Sequence, residues 1–369
     1  MSRAVSVAGD RAVNLAPELA SAGGWPVWGH DDVVAHLRAA YLDDRLGHAY
    51  LIAGLDGVGK STLALALAQV LCCQANDRPD RSVACGTCLG CRKVARGTHP
   101  DVEVVGLASQ AAMADKSGSK HTTLSIDSAR HIRSAIALRP MEASWRVVVV
   151  DNAETLQEAA QEALLKTLEE PPGFVALLLL ATDAELLLPT VRSRCNIIDL
   201  RPVARVNTEA LLRARGVEPA TATEVAAIAG GRPGWAVRAT EDQRLIEQRR
   251  EAVDRAISWV SGAPYDRLVA AFRLGNSFTK RRDAVFADLD ALLGVWRDLL
   301  LLRAKLPHYL TYRGFAERLT DLAQGWALAD LNRGVQAVQA CIADLEANVR
   351  PRLAMEAMVL QWPTPPGRR

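Results

Sequence analysis

Two groups of residues in the first hundred positions have types and spacings that could do chemistry. Gly54-Leu55-Asp56-Gly57-Val58-Gly59-Lys60-Ser61 fits the pattern G-x-x-x-x-G-K-[ST]. Glycines there let backbone N–H groups turn inward around phosphate oxygens, and a following helix adds the positive end of its dipole. Lys60 can reach the outer phosphates, the Ser61 hydroxyl can ligate Mg²⁺, and Thr62 continues the first helical turn. The second group is Cys85-Gly86-Thr87-Cys88-Leu89-Gly90-Cys91, a C-x2-C-x2-C run, with Cys73 shortly before it. Four thiolates so spaced can close a tetrahedral Zn²⁺ site, and a four-sulfur shell leaves no position for water, so such an ion is structural.

The cysteines admit other uses. Iron–sulfur clusters share this kind of spacing, but nothing else in the chain suggests electron transfer. Disulfides are not expected, because no signal peptide is visible and a phosphate-loop protein belongs in the reducing cytoplasm. Cys72 competes with Cys73 as first ligand, and Cys195 and Cys341 read as small buried residues.

The elements that must position these groups follow from the pattern. His48–Ala53 is a short apolar run ending at a glycine, a buried parallel strand, and the Ala/Leu-rich stretch after Ser61 is a helix. Val147–Val150 is a second β-branched run closed by Asp151, which can hold the Mg²⁺ shell from across the loop. The next residue is Asn152, whose amide cannot take a proton from water as a general base. Glu154 stands two positions further on. These residues support binding of ATP and Mg²⁺ and argue against hydrolysis by this chain.

Strands expected at 102–105, 147–151, 175–181 and 196–200 alternate with helical stretches, which makes a parallel α/β sheet. The expected organisation is a loose tail over 1–20 and a nucleotide-binding domain over 21–201 with the cysteine module inserted at 73–91. A small helical lid over 202–240 and an all-α domain over 241–369 complete it. Gly106 to Thr123 is polar and Ser/Gly-rich and reads as a mobile loop.

Many ordered motifs resemble one family, the clamp loader subunits of bacterial DNA polymerase III in the AAA+ class. They are Trp25-Pro26-Val27-Trp28-Gly29-His30, Gly47-His48-Ala49-Tyr50-Leu51, His99-Pro100-Asp101 and Ser125-Ile126-Asp127-Ser128-Ala129-Arg130. The run from Glu162 to Glu169-Glu170-Pro171-Pro172 and the triplet Ser193-Arg194-Cys195 complete the set. The ending Asn348 to Glu356 is similar to the last helix of the family's oligomerisation collar. The resemblance favours the delta-prime branch over the ATP-hydrolysing gamma and tau motors. Motors carry Asp-Glu where this chain has Asp151-Asn152, and a γ-phosphate-sensing arginine where Gly234 stands, with Arg232 two residues away. The long C-terminal extension of tau is not expected either.

The resemblance implies a non-motor component that assembles with gamma/tau and delta subunits and loads the sliding clamp onto primed DNA. It also implies that Arg194 acts in trans, on a phosphoryl group held by the adjacent subunit, since a planar guanidinium suits such contact. The plainer role for Arg192 or Arg194 is an ion pair with a nearby carboxylate. A motor subunit of the same machine is the alternative reading.

Composition bounds the rest. With 369 residues, two or three domains are expected, and 49% hydrophobic residues suffice for an ordinary core. A net charge of +2 is too small to imply nucleic-acid binding by itself. No apolar run approaches the ~18 residues that span a bilayer. Trp259, Trp296, Trp326 and Trp362, on helical stretches, read by default as core residues, with a surface facing neighbouring subunits as the alternative.

Overall fold

Strand β1 (Ala49–Ala53) is buried along its whole length, as an uninterrupted apolar run requires of a strand covered on both faces. It lies inside a five-stranded sheet in the computed structural model, which describes residues 24–107, 123–346 and 349–363. The order across the sheet is β2 (Val102–Val105), β3 (Arg146–Val150), β4 (Val175–Ala181), β1 and β5 (Asn196–Asp199). Every pairing is parallel, and Val105, Val150, Leu179, Leu51 and Ile197 form one row across all five strands. Asp151 is the first residue beyond β3 and Leu200 the first beyond β5, each the last position of the expected strand, so both strands end one residue earlier than expected.

Alternation along the strands divides the packing between two faces. On one face Ile52, Val147, Val149 and Leu178 pack with Val34 and Leu37 of α1 (Asp31–Leu42) and Leu63 and Leu67 of α2 (Lys60–Leu71). On the other, Leu51, Val148, Val150 and Leu177 meet Ile132 of α4 (Ile126–Ala137) and Leu164 and Leu168 of α5 (Glu158–Glu169). A short helix α3 (Leu89–Ala95) follows the cysteine run, and α6 (Pro189–Arg192) leads into β5. Burying each large aliphatic side chain in these layers contributes about 1.5–3 kcal/mol.

Beyond the sheet come three short helices, α7 (Arg205–Ala214), α8 (Pro219–Ile228) and α9 (Pro233–Glu241). The remainder is helical: α10 (Gln243–Ser261), α11 (Pro264–Ser277), α12 (Arg282–Arg303), α13 (Ala316–Ala323), α14 (Leu328–Glu346) and α15 (Pro351–Leu360). The described residues form two compact units, those up to 218 with 231–236, and 219–230 with those from 237 onward. In the second unit all four tryptophans are buried, and Trp296 meets both Trp326 and Trp362 edge-on at 5.8 and 5.4 Å between ring centroids. The expected tail and most of the expected mobile loop lie outside the described residues. No described helix is long and apolar enough to cross a membrane.

Candidate nucleotide loop and four-cysteine site

The phosphate loop springs from the carboxyl end of β1, where open parallel sheets place their ligands. Its first residue is tied to the sheet, the N–H of Gly54 donating to the Ala181 carbonyl at 3.1 Å. Gly57 has φ +78°, and a Cβ there would lie 2.9 Å from the backbone nitrogen of Trp235, so only glycine fits. Gly59 immediately precedes α2, whose first turn carries Lys60, Ser61 and Thr62. The buried Lys60 ammonium donates to the carbonyls of Gly54 (2.5 Å) and Leu55 (3.1 Å), which holds the cation within the loop. His30 packs beside it, Nε2 lying 3.1 Å from the Val58 carbonyl, and burial holds its pKa below the usual imidazole value.

A second segment reaches the same loop. The N–H of Gly234 donates to the Gly57 carbonyl at 2.7 Å. The position where the resemblance puts a sensing arginine in motors therefore presents backbone to the loop.

Asp151 stands at the same sheet edge, beyond β3, and its Oδ1 accepts the N–H of Asn152 at 3.1 Å. Asn152 is left-handed (φ 54°), and its carbonyl accepts both the N–H and the Oγ1 hydroxyl of Thr155. Glu154 reaches the end of β4 instead, Oε1 accepting the Thr182 hydroxyl at 3.1 Å. Its Oε2 is buried and has no partner among the described residues. Sequence spacing did not reveal that Glu154 faces the neighbouring strand end; the register of β3 on β4 does.

The ligand atoms of Cys73, Cys85, Cys88 and Cys91 all lie within 4.8 Å of one another. Two of the Sγ–Sγ distances, Cys85 to Cys91 and Cys73 to Cys88, are 3.9 Å. A tetrahedral ion with bonds of about 2.3 Å to sulfur has edges near this length, so the donor set fits a metal ion. Backbone N–H groups point at the sulfurs, Cys88 to Cys85 at 3.3 Å and Cys91 to Cys88 at 3.4 Å. Burial opposes ionisation of Cys85, but the N–H groups of Cys88 and Thr87 prevail and bring its thiol down to about 6. Cys72 caps the end of α2 and belongs to the apolar core, and burial pushes its thiol up to about 12. Cys73 is thus the fourth member of the cluster and Cys72 is not.

The module closes on His99-Pro100-Asp101. The Asp101 carboxylate is fully buried and accepts the N–H groups of Met141, Glu142 and Ala143 at 2.7–2.8 Å. That clamps the chain entering β3 and was not singled out as structural by sequence.

Arg194 lies two residues past α6, on the surface. Its Nε and Nη2 both donate to Oε1 of Glu169, at 2.8 and 2.5 Å, and its Nη1 donates to the Thr190 carbonyl at 2.9 Å. Arg192 pairs with Glu185. In the single chain, then, Arg194 makes the ion pair of its plainer role, with a glutamate from the motif that runs to Pro172. Cys195 is half-buried and packs against the α4–α5 side of the sheet, and Cys341 is buried, as expected of ordinary core cysteines.

Comparison with known proteins places these features. A family model described as "DNA polymerase III, delta subunit" matches residues 29–204. The Pseudomonas aeruginosa protein named DNA polymerase III subunit delta' is 31% identical over 343 residues, covering 87% of this chain and 93% of that protein. Its Escherichia coli namesake is 36% identical over 178 residues, 48% of this chain and 49% of that one. A Mycobacterium tuberculosis protein named DNA polymerase III subunit gamma/tau is 32% identical over 186 residues, 50% of this chain and 30% of its own. The matches to the E. coli delta' protein and to this gamma/tau protein each cover about half the chain, whereas the match to the P. aeruginosa delta' protein covers 87% of it. The fold is accordingly a parallel five-stranded α/β sheet carrying a phosphate-loop motif, with a helical C-terminal region, and the chain belongs to the delta' family of DNA polymerase III subunits.

Proposed function

We propose that the chain is a non-motor, stator subunit of the clamp loader. It joins gamma/tau-type motor subunits and a delta subunit, and with them loads the sliding clamp onto primed DNA. The observation that carries this reading is the pair of departures at the nucleotide site: Asn152 follows Asp151, and Gly234 sits on Gly57. An amide at the first position supplies no base to water, and backbone at the second supplies no cation to a γ-phosphate.

The phosphate loop itself is complete. ATP with Mg²⁺ would be held by the N–H groups around Gly54, Gly57 and Gly59, by Lys60, by the Ser61 and Thr62 turn, and by Asp151. Lys60 would exchange its loop carbonyls for phosphate oxygens. The metal of the four-cysteine site would be zinc, which four thiolates select and which supplies structure rather than chemistry. Arg194 would serve the adjacent motor subunit, stabilising charge on the phosphoryl group held there. The lid over 202–240 and the collar over 241–369 would set the subunit into the ring.

The experiment is a native mass measurement of the chain, alone and mixed with motor subunits, with and without ATP. A defined mixed assembly containing this chain, with no turnover by the chain alone, is the expected result. A second reading, a motor subunit, draws on Glu154, whose carboxylate reaches Thr182 at the end of β4. It requires the isolated chain to hydrolyse ATP well above background and to lose that activity in Glu154→Gln.

A further inference from the structure

Arg194 is held from two sides. Glu169, the last residue of α5, offers a single carboxylate oxygen to both Nε and Nη2, which is one whole edge of the guanidinium. From the other side Nη1 donates to the Thr190 carbonyl of α6 and, at 3.2 Å, to Ser193 Oγ, whose own hydroxyl donates to Thr190 at 3.1 Å. A long surface arginine has many rotamers, and this grip, drawn from two different helices, leaves the plane of the guanidinium fixed. Nη2 still carries a second N–H beyond the one given to Glu169. Among the described residues the neighbouring Arg192, paired with Glu185, shows no comparable double grip, its Nε being buried without a partner.

We propose that Glu169 is the positioning residue of Arg194, orienting its guanidinium toward a phosphoryl group held by the adjacent subunit. The inference rests on the trans role of Arg194 proposed above. A carboxylate beside an arginine could instead sequester it, and magnitude decides between the two. Both side chains are well exposed, 34% for Arg194 and 49% for Glu169. An exposed pair is worth a factor of about two to five at most, whereas a trans arginine at its phosphoryl group is worth about 10³–10⁵ in rate. Glu169 is therefore too weak to withhold Arg194 from a phosphate and strong enough to set its orientation.

The test uses the full chain assembled with its motor subunits, and reads kcat and KM for ATP with assembly checked by native mass. Glu169→Ala is expected to lower kcat about two- to fivefold with KM unchanged, and Glu169→Asp to restore part of the loss. In an Arg194→Ala background, Glu169→Ala should cost nothing further, because its effect runs through Arg194. Should Glu169→Ala fail to assemble, the isosteric Glu169→Gln carries the same comparison, with a smaller loss because its amide oxygen still accepts. Unchanged or raised kcat in Glu169→Ala, or losses that multiply in the double variant, would overturn the positioning role while leaving Arg194 in place. An Arg194→Ala assembly with normal turnover would instead overturn the trans reading itself, and the positioning role with it.

Discussion

Gly234 donates its backbone N–H to the carbonyl of Gly57 at 2.7 Å, so main chain helps fasten the segment 231–236 to the phosphate loop. The contact is close on both sides. A Cβ on Gly234 would lie 3.0 Å from the Gly57 carbonyl oxygen, and one on Gly57 would lie 2.9 Å from the Trp235 nitrogen. The loop is thereby shaped at Gly57 by the backbone of Gly234 and Trp235.

Gly57→Ala should therefore disturb more than a turn. Its left-handed backbone costs an alanine about 1–2 kcal/mol, and the approach of Trp235 adds to that. A melting temperature lower by a few degrees, together with weakened nucleotide binding, is expected in a thermal scan with and without ATP. A variant that melts and binds like the parent would show that Gly234 and Trp235 do not constrain the loop.

Lys60→Ala should abolish whatever ATP affinity the isolated chain has, because it removes the only cation inside the loop turn. Titration with a fluorescent ATP analogue reads this directly. Clamp loading by the assembled complex should change only modestly. Complete loss of loading with intact assembly would mean that this loop takes part in the ATP cycle.

The purified chain should contain about one zinc, by the four-thiolate rule. Cys88→Ser should lose it and destabilise the first unit, since metal binding is coupled to folding. Cys72→Ser should keep it, because Cys72 lies in the apolar core and its thiol is held protonated by burial. Metal analysis of the two variants separates them, and full zinc in Cys88→Ser, or iron in place of zinc, would remove the assignment.

Asp101 gives a prediction in pH. Burial works against its ionisation, but the three N–H groups of residues 141–143 outweigh it and hold the pKa below the usual carboxylate value. A folded-state pKa lower than the unfolded one contributes stability above the unfolded value, near pH 4, and loses it as pH falls through the folded value. Asp101→Asn should cost about 1–3 kcal/mol at neutral pH, as one carbonyl cannot serve three donors. It should also flatten the acid limb of a stability–pH curve, and an unchanged limb would contradict this account.

The sheet and both clusters were legible in the sequence because their signals are local. A β-branched run such as Val147–Val150 fixes a strand, and C-x2-C-x2-C brings three candidate thiol ligands together by spacing alone. What spacing could not supply was direction. Whether Cys72 or Cys73 faces the cluster depends on where α2 ends, which is settled by packing at its last turn. Glu154 looked displaced along the chain, yet the parallel register of β3 and β4 brings its carboxylate to Thr182. Glu169 was visible only as part of a recognisable run, and its contact with Arg194 spans 25 residues that sequence does not fold back.

The most direct measurement of the central claim is ATP turnover by the complex carrying Arg194→Ala, set beside the nucleotide affinity of the same variant alone. The account predicts a chain that folds, keeps its zinc, joins the assembly and binds ATP as before. Turnover at the neighbouring motor site should fall steeply, toward the 10³-fold scale of a lost trans arginine, and Arg194→Lys should rescue it poorly. Normal turnover by the complex, with nucleotide affinity lost in the isolated variant, would contradict the account and leave Arg194 as the ion-pair partner of Glu169 alone.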